Sequence, residues 1–175
     1  MKTVLVSVLC ADRTGLVAAI TGRLFDLGAN LGDTTFAVLG GGGEFASVCD
    51  VPVDISPDEI RKELQALPEI GDGKVTVEPF SLAADHGPSG RVTHRIVVSG
   101  GNRPGLVARL SEVFVQFKAN IVELNAQRVR NEGGDLYLTR FAVWIPGQSV
   151  ESCLATVDNT AGELSLSCRW ETVDS

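Results

Sequence analysis

Four polar residues stand where binding chemistry could be done: Asp12 and Asn30, and ninety positions later Asn102 and Asn120. They bracket two runs written in the same grammar, DRTGLVAAITGRLFDLGANL at 12–31 and NRPGLVARLSEVFVQFKANI at 102–121. Arg13 aligns with Arg103, Gly15 with Gly105, Leu16 with Leu106, Val17 with Val107 and Ala29 with Ala119, all at one offset and without a gap. A helix beginning at Asp12 or Asn102 aims its unpaired N–H groups and the positive end of its dipole into the corner after the preceding strand, which is a seat for a carboxylate. An asparagine amide offers a donor and an acceptor, so two of them suit a zwitterion. An ionised Asp12 only accepts; it favours an ammonium and repels a carboxylate unless the helix end offsets it. Structural roles stand beside these: Asp12 and Asn102 as helix caps, Asn30 and Asn120 as turn residues with left-handed backbone.

The elements that must place these residues follow from periodicity. Leu16, Ile20, Leu24 and Leu27 form one apolar helical stripe, and Leu106, Leu110, Val113, Phe114 and Phe117 another. Gly15 and Gly105 lack a Cβ, so another group can approach the backbone there. Pro104 sits where a missing N–H costs nothing. Gly28 closes the first helix as a left-handed cap, whereas Lys118 replaces it in the second copy and leaves the task to Asn120 or its neighbours.

Around the first helix the chain reads as strand 3–9, strand 31–39, a Gly40–Gly43 turn and strand 44–53. A helix opens at Ser56-Pro57-Asp58-Glu59 with Ile60, Leu64 and Leu67 as its stripe; Gly71–Gly73 ends it, and strand 74–80 closes the module. The second half repeats the order: strands 91–99, 121–129 and 136–145 with a turn at 131–135, a weaker helix 149–160, and a closing strand 163–170. Strand, helix, strand, strand, helix, strand is the split-βαβ order of an α+β, ferredoxin-like sandwich, with two helices on one face of a four-stranded antiparallel sheet. Two such domains are expected, 1–80 and 91–175, joined by a linker at 81–90 rich in small and turn-forming residues. Modules this small bury little surface, so packing against each other or against a second chain is expected.

A formal net charge of -7 and a pI near 4.8 argue against direct nucleic-acid binding, which needs a basic field to displace counterions. Met1–Leu9 is apolar but too short to span a membrane and lacks a signal peptide's layout, so no membrane association is expected. Cys10, Cys49, Cys153 and Cys168 show neither C-x-x-C spacing nor matching positions in the two copies; reduced thiols in a cytoplasmic protein are the expectation. Gly40–Gly43 is followed by no Lys-Ser or Lys-Thr and reads as a hairpin, not a phosphate loop. His86 and His94 are too isolated for a metal site or a His-dependent nucleophile, and neither metal nor cofactor is expected. Asp58, Glu59 and Glu63 read as a solvated helix face, and Trp144 and Trp170 as core or interface.

A strand, a D/N-R-x-G-L turn, an amphipathic helix, a G-A-N-[IL] turn and a second strand resemble the ACT domain, a small ligand-sensing module of amino-acid-regulated proteins. Two copies together resemble the glycine cleavage system transcriptional repressor family. The resemblance implies a ligand held between two side-by-side modules, by the turn before the first helix of one and the turn after the first helix of the other. Carried onto this sequence, it implies ligand contacts from Asn102, Gly105, Leu106 and Asn120, and from Asp12, Gly15, Leu16 and Asn30 in the first copy. Some ACT sites carry a histidine two positions before the first of these residues; here those positions are Cys10 and Gly100. Arg13 and Arg103 point to solvent or contact a partner or ligand at the rim. The resemblance further implies glycine or serine as effector, a transcriptional activator as protein partner, and no catalysis, with homodimerisation left open. The rival reading is a ligand-independent interaction or oligomerisation module. Similar turns also occur at the front of phosphoserine phosphatases and formyltetrahydrofolate deformylases, but no residues here are assignable to either catalytic domain.

Overall fold

A computed structural model describes residues 1–83, 85–131 and 134–173. Its contacts divide into two compact units, Met1–Ala84 and Asp85–Ser175. The first contains β1 (Lys2–Ala11), α1 (Leu16–Asp26), β2 (Asn30–Leu39), β3 (Gly42–Val51), α2 (Pro57–Gln65) and β4 (Lys74–Pro79). In the second, a 3-10 turn (Pro88–Gly90) precedes β5 (His94–Gly100), α3 (Leu106–Gln116), β6 (Asn120–Asn131), β7 (Gly134–Trp144), α4 (Val150–Glu163) and β8 (Ser167–Thr172). Each unit holds one antiparallel four-stranded sheet, in the orders β2-β3-β1-β4 and β6-β7-β5-β8. The fold is α+β and ferredoxin-like, twice over.

Strand alternation decides which face is covered. Val4, Val6, Val8 and Cys10 of β1 and Phe45, Cys49 and Val51 of β3 point to one side, where Leu16, Ile20 and Leu24 of α1 and Ile60 and Leu64 of α2 close over them. In the second unit Ile96, Val98, Phe141 and Val143 meet Leu106, Leu110, Val113 and Phe114 of α3 and Cys153, Leu154, Val157 and Ala161 of α4. Phe114 and Phe141 stack edge to face at 5.4 Å. The two cores exchange large for small: Val8 pairs with Phe45 and Val6 with Ser47, whereas Val98 pairs with Thr139 and Ile96 with Phe141. Similar volume is filled by a different order of side chains.

Several boundaries differ from the sequence reading. The glycine turn is only Gly40-Gly41, because Gly42 and Gly43 already pair with Ala11 and Cys10 in β3. A Cβ on Gly43 would lie 2.8 Å from Leu16 Cδ2, so its absence lets α1 settle on the strand. Helix α2 starts as expected, with Ser56 Oγ accepting from Glu59 N at 3.1 Å, but ends at Gln65, well before Gly71. Helix α4 runs to Glu163 and delays the last strand to Ser167. Its threonines do not break it, since Thr156 and Thr160 donate to carbonyls four residues back, both at 2.8 Å. Residues 132 and 133 of the expected 131–135 turn, Ala84 of the expected linker, and residues 174 and 175 lie outside the described residues.

Candidate functional site

The corner after the first strand is built alike in both units, and not as a capping side chain would build it. Helix α1 starts at Leu16 and α3 at Leu106, four residues beyond Asp12 and Asn102, so these two are not the caps the sequence suggested. The cap positions are Gly15 (φ 89) and Gly105 (φ 82), left-handed residues with no side-chain acceptor for the first helical turn. This φ favours glycine over any residue with a Cβ. A tight turn takes up one N–H in each copy: Leu16 N donates to Arg13 O at 3.3 Å and Leu106 N to Arg103 O at 3.2 Å. The next helical bonds run from Ala19 N to Gly15 O and from Arg109 N to Gly105 O, both 2.9 Å. Among the described residues the N–H groups of Val17 and Ala18, and of Val107 and Ala108, have no acceptor.

No acidic residue stands in the first turn of either helix, and a Cβ on Gly15 or Gly105 would meet nothing within 4 Å. The corner is therefore open, and in the second unit, where Asn102 stands in the place of Asp12, the positive dipole end is uncompensated. Helix α2 is the internal contrast, with Ser56 capping and Asp58 and Glu59 in its first turn. Leu16 and Leu106 are buried in the cores, so only their main chain borders the corner. Asp12 and Asn102 are exposed beside it, and Asp12 N donates to Gly41 O at 2.9 Å, tying the turn to the β2–β3 hairpin.

The arginines of the repeated motif have a structural role that sequence reasoning missed. Arg13 Nη1 donates to Pro68 O at 3.4 Å, and Arg103 Nε to Leu164 O at 3.1 Å. Both carbonyls lie just past the C-terminal end of the unit's second helix, where carbonyls lack helical partners and the dipole is negative. Each arginine thus ties the turn before the first helix to the end of the second. Its repetition in DR and NR was the available signal.

Asn30 and Asn120 open β2 and β6 at the other end of the first helix. Each of those helices has 11 residues and is about 16 Å long, so neither unit brings its own Asp12 or Asn102 together with its own asparagine. Neither asparagine is left-handed; that conformation falls to Gly28 (φ 74) and to Lys118 itself (φ 56). The two asparagines have different surroundings. Asn30 lines a cavity of about 170 Å³ with Thr3, Gly32, Asp33, Val48 and Asp50, where Thr3 Oγ1 donates to Asp50 Oδ1 at 2.7 Å. Asn120 Nδ2 donates to Ser89 O at 2.9 Å, so its amide is held by the turn read from sequence as linker. No side-chain pattern could announce a bond to a main-chain carbonyl.

Burial shifts the four thiols and one histidine toward their neutral forms. Burial pushes the Cys10 thiol up, with Arg13 opposing, and Cys49 is raised by burial as well. Burial pushes Cys153 and Cys168 up to about 11. All four are protonated thiols at neutral pH and poor nucleophiles. His94 is buried with Nδ1 3.0 Å from Thr93 Oγ1, and desolvation lowers its pKa. Among the described residues no three His, Cys, Asp or Glu side chains gather as metal ligands do, and no helix is long and apolar enough to cross a membrane.

No family model and no curated protein sequence matches the chain. Solved structures do. An unknown protein from Galdieria sulphuraria superposes with a TM-score of 0.75 at 20% identity, covering 99% of both chains. A proposed glycine cleavage system transcriptional repressor superposes with a TM-score of 0.66 at 15% identity, covering 99% of this chain and 98% of that one. At these identities the likeness shows the fold, two ferredoxin-like modules in tandem.

Proposed function

We propose that the chain is a non-catalytic regulatory protein that senses a small amino acid, glycine or serine, and passes the signal to a protein partner such as a transcriptional activator. The observation that carries this reading is the repeated open corner: two helix starts left uncapped and with no acid in their first turn, each behind a left-handed glycine with clear space over it. Such a corner accepts a carboxylate with main-chain donors. Asn102 beside α3 adds a neutral amide, while Asp12 beside α1 opposes a carboxylate, so the second copy is the stronger carboxylate seat. The ammonium falls to the asparagine corner of an adjoining module. There Asn30 stands beside Asp33 and Asp50, whereas Asn120, its Nδ2 held by Ser89 O, offers Oδ1 as the acceptor. The fold shared with a proposed glycine cleavage system transcriptional repressor supports the same reading. A ligand that fixes module placement changes affinity for a partner that prefers one placement, and linkage makes the effect reciprocal.

The test is a thermal-shift screen of the purified chain against free amino acids. A ligand at about a hundred times its Kd stabilises a one-site native state by roughly 2.7 kcal/mol. A saturable shift with glycine or serine, lost in Asn102→Ala, is the expected result; no shift at millimolar concentration sinks the sensor. That outcome would favour a ligand-independent association module, for which the edge strand β2 already offers a surface. Between Thr34 and Leu39 it carries no charge, and Phe36, Val38 and Leu39 are exposed.

A further inference from the structure

The sheet face of the second unit that the helices leave open bears an arrangement the amino-acid reading does not use. Antiparallel register sets Val97 of β5 between Arg140 of β7 and Arg169 of β8, one row across the three strands. Arg95, two residues before Val97, projects from the next row of the same face, flanked by Ala142 and Glu171. A cavity of about 300 Å³ lies here, lined by Arg95, Val97, Arg169, Trp170 and Glu171.

Three arginines face two carboxylates, Glu123 and Glu171, which leaves one positive charge in excess. Arg95 reaches Glu123 at 3.8 Å, Arg140 donates to Gln127 Oε1 at 3.4 Å, and Arg169 has no ion pair among the described residues. Composition does not explain the cluster, since the whole chain is at -7. Nor does the fold need it. At the matching places of the first sheet stand Leu5, Ala46 and Thr76, with Ser7 between the last two, and the same architecture forms. Three guanidinium groups have thus been placed on one open face of one copy only.

We infer that this cavity is an anion site, which takes a small doubly charged oxyanion of phosphate-ester size between Arg169 and Arg95, with Arg140 across Val97. Arg140 and Arg169 leave the sheet two strand spacings apart, about 10 Å, a gap that two long forked side chains close around one such group. Half-buried Val97 gives the floor. The site lies on the open sheet face of its unit, away from that unit's own helix-start corner, so it is a second input separate from the amino-acid reading.

The experiment titrates the full chain with inorganic phosphate, pyrophosphate and succinate at ionic strength held constant with sodium chloride, reading thermal midpoint and heat of binding. Expected is saturable binding of inorganic phosphate or pyrophosphate, with succinate showing whether carboxylate oxygens are accepted in their place. Arg169→Ala should raise the half-saturating concentration at least tenfold and Arg169→Lys by less, while Arg61→Ala on α2 leaves it unchanged. Non-saturable effects, or equal effects in wild type and Arg169→Ala, overturn the site and leave charge screening only. Binding of a single-stranded oligonucleotide that pyrophosphate does not displace would also overturn it, in favour of a nucleic-acid surface.

Discussion

Gly105→Ala separates what the open corner does for the fold from what it does for a ligand. At φ 82 an alanine is held in the left-handed region, which costs about 1–2 kcal/mol. Nothing lies within 4 Å of the added methyl, so no steric penalty is added. The stability loss should therefore stay near 1–2 kcal/mol, with a fall in melting temperature of roughly 4–8 °C per kcal/mol for a module of this size. Gly73→Ala is the contrast. Its Cβ would lie 2.3 Å from Cys10 Cβ, 2.9 Å from Ile70 O and 3.0 Å from Leu9 O, two of them main-chain atoms that cannot step aside, so its cost should be larger. Trp144 and Trp170 both belong to the second unit, so urea unfolding followed by tryptophan fluorescence reports on Gly105→Ala; circular dichroism serves for Gly73→Ala. A methyl over the bare helix start should also weaken amino-acid binding at least tenfold. A stability cost above about 3 kcal/mol would mean that the glycine is packed and the corner is not open. Unchanged affinity in the folded variant would mean that no ligand approaches there.

Other consequences follow from buried groups and from the arginine ties. Thr139 is fully buried and its Oγ1 has no hydrogen-bond partner among the described residues, so Thr139→Val should stabilise the second unit by about 1 kcal/mol; a loss of stability in urea melts would contradict this. Arg13→Gln and Arg103→Gln each remove a tie to a carbonyl beyond a second helix and should each cost roughly 1 kcal/mol, with hydrogen exchange rising at the ends of α2 and α4 respectively. His94 is held below its ordinary 6.5 by burial, so as pH falls the unfolded chain takes up a proton before the folded chain does. Stability is then fully present above pH 6.5 and falls as pH drops below it, by up to about 1.4 kcal/mol per pH unit from this group. His94→Gln should flatten that slope just below pH 6.5. Asp58, lowered by hydrogen bonds from Arg61 and Lys62, acts only below its ordinary 3.8 and does not overlap this window.

Local signals in the sequence were strong where a side chain leaves a periodic mark. The stripes Leu16-Ile20-Leu24 and Leu106-Leu110-Val113-Phe114 are buried as their spacing requires, and Ser56-Pro57 opens α2 as a polar cap and a first-turn proline should. The helix starts were misplaced because capping logic looks for a side-chain acceptor, and here a left-handed glycine with a turn three residues back does that work. Lys118 hid its role because its φ of 56 is imposed by the turn around it, against its own preference. Contacts across long sequence separations left no local trace, whether Arg103 to Leu164 or Asn120 to the main chain of Ser89. Joint use of the asparagine and helix-start corners requires an adjoining module, because within a unit they lie at opposite ends of one helix.

If the proposed sensor reading holds, the helix-start corner of the second copy seats the carboxylate of a free amino acid and residue 102 sets its preference. Calorimetric titration of glycine and serine into wild type, Asn102→Asp and Asp12→Asn tests it most directly. A fixed carboxylate beside the ligand's own should weaken binding to Asn102→Asp at least tenfold, about 1.4 kcal/mol, at low salt. Asp12→Asn, which gives the first copy the amide of the second, should leave the existing site intact and add a second binding event or tighten a weak one. Equal affinity in wild type and Asn102→Asp, with heats that saturate normally, would contradict the claim and remove the corner from the binding site.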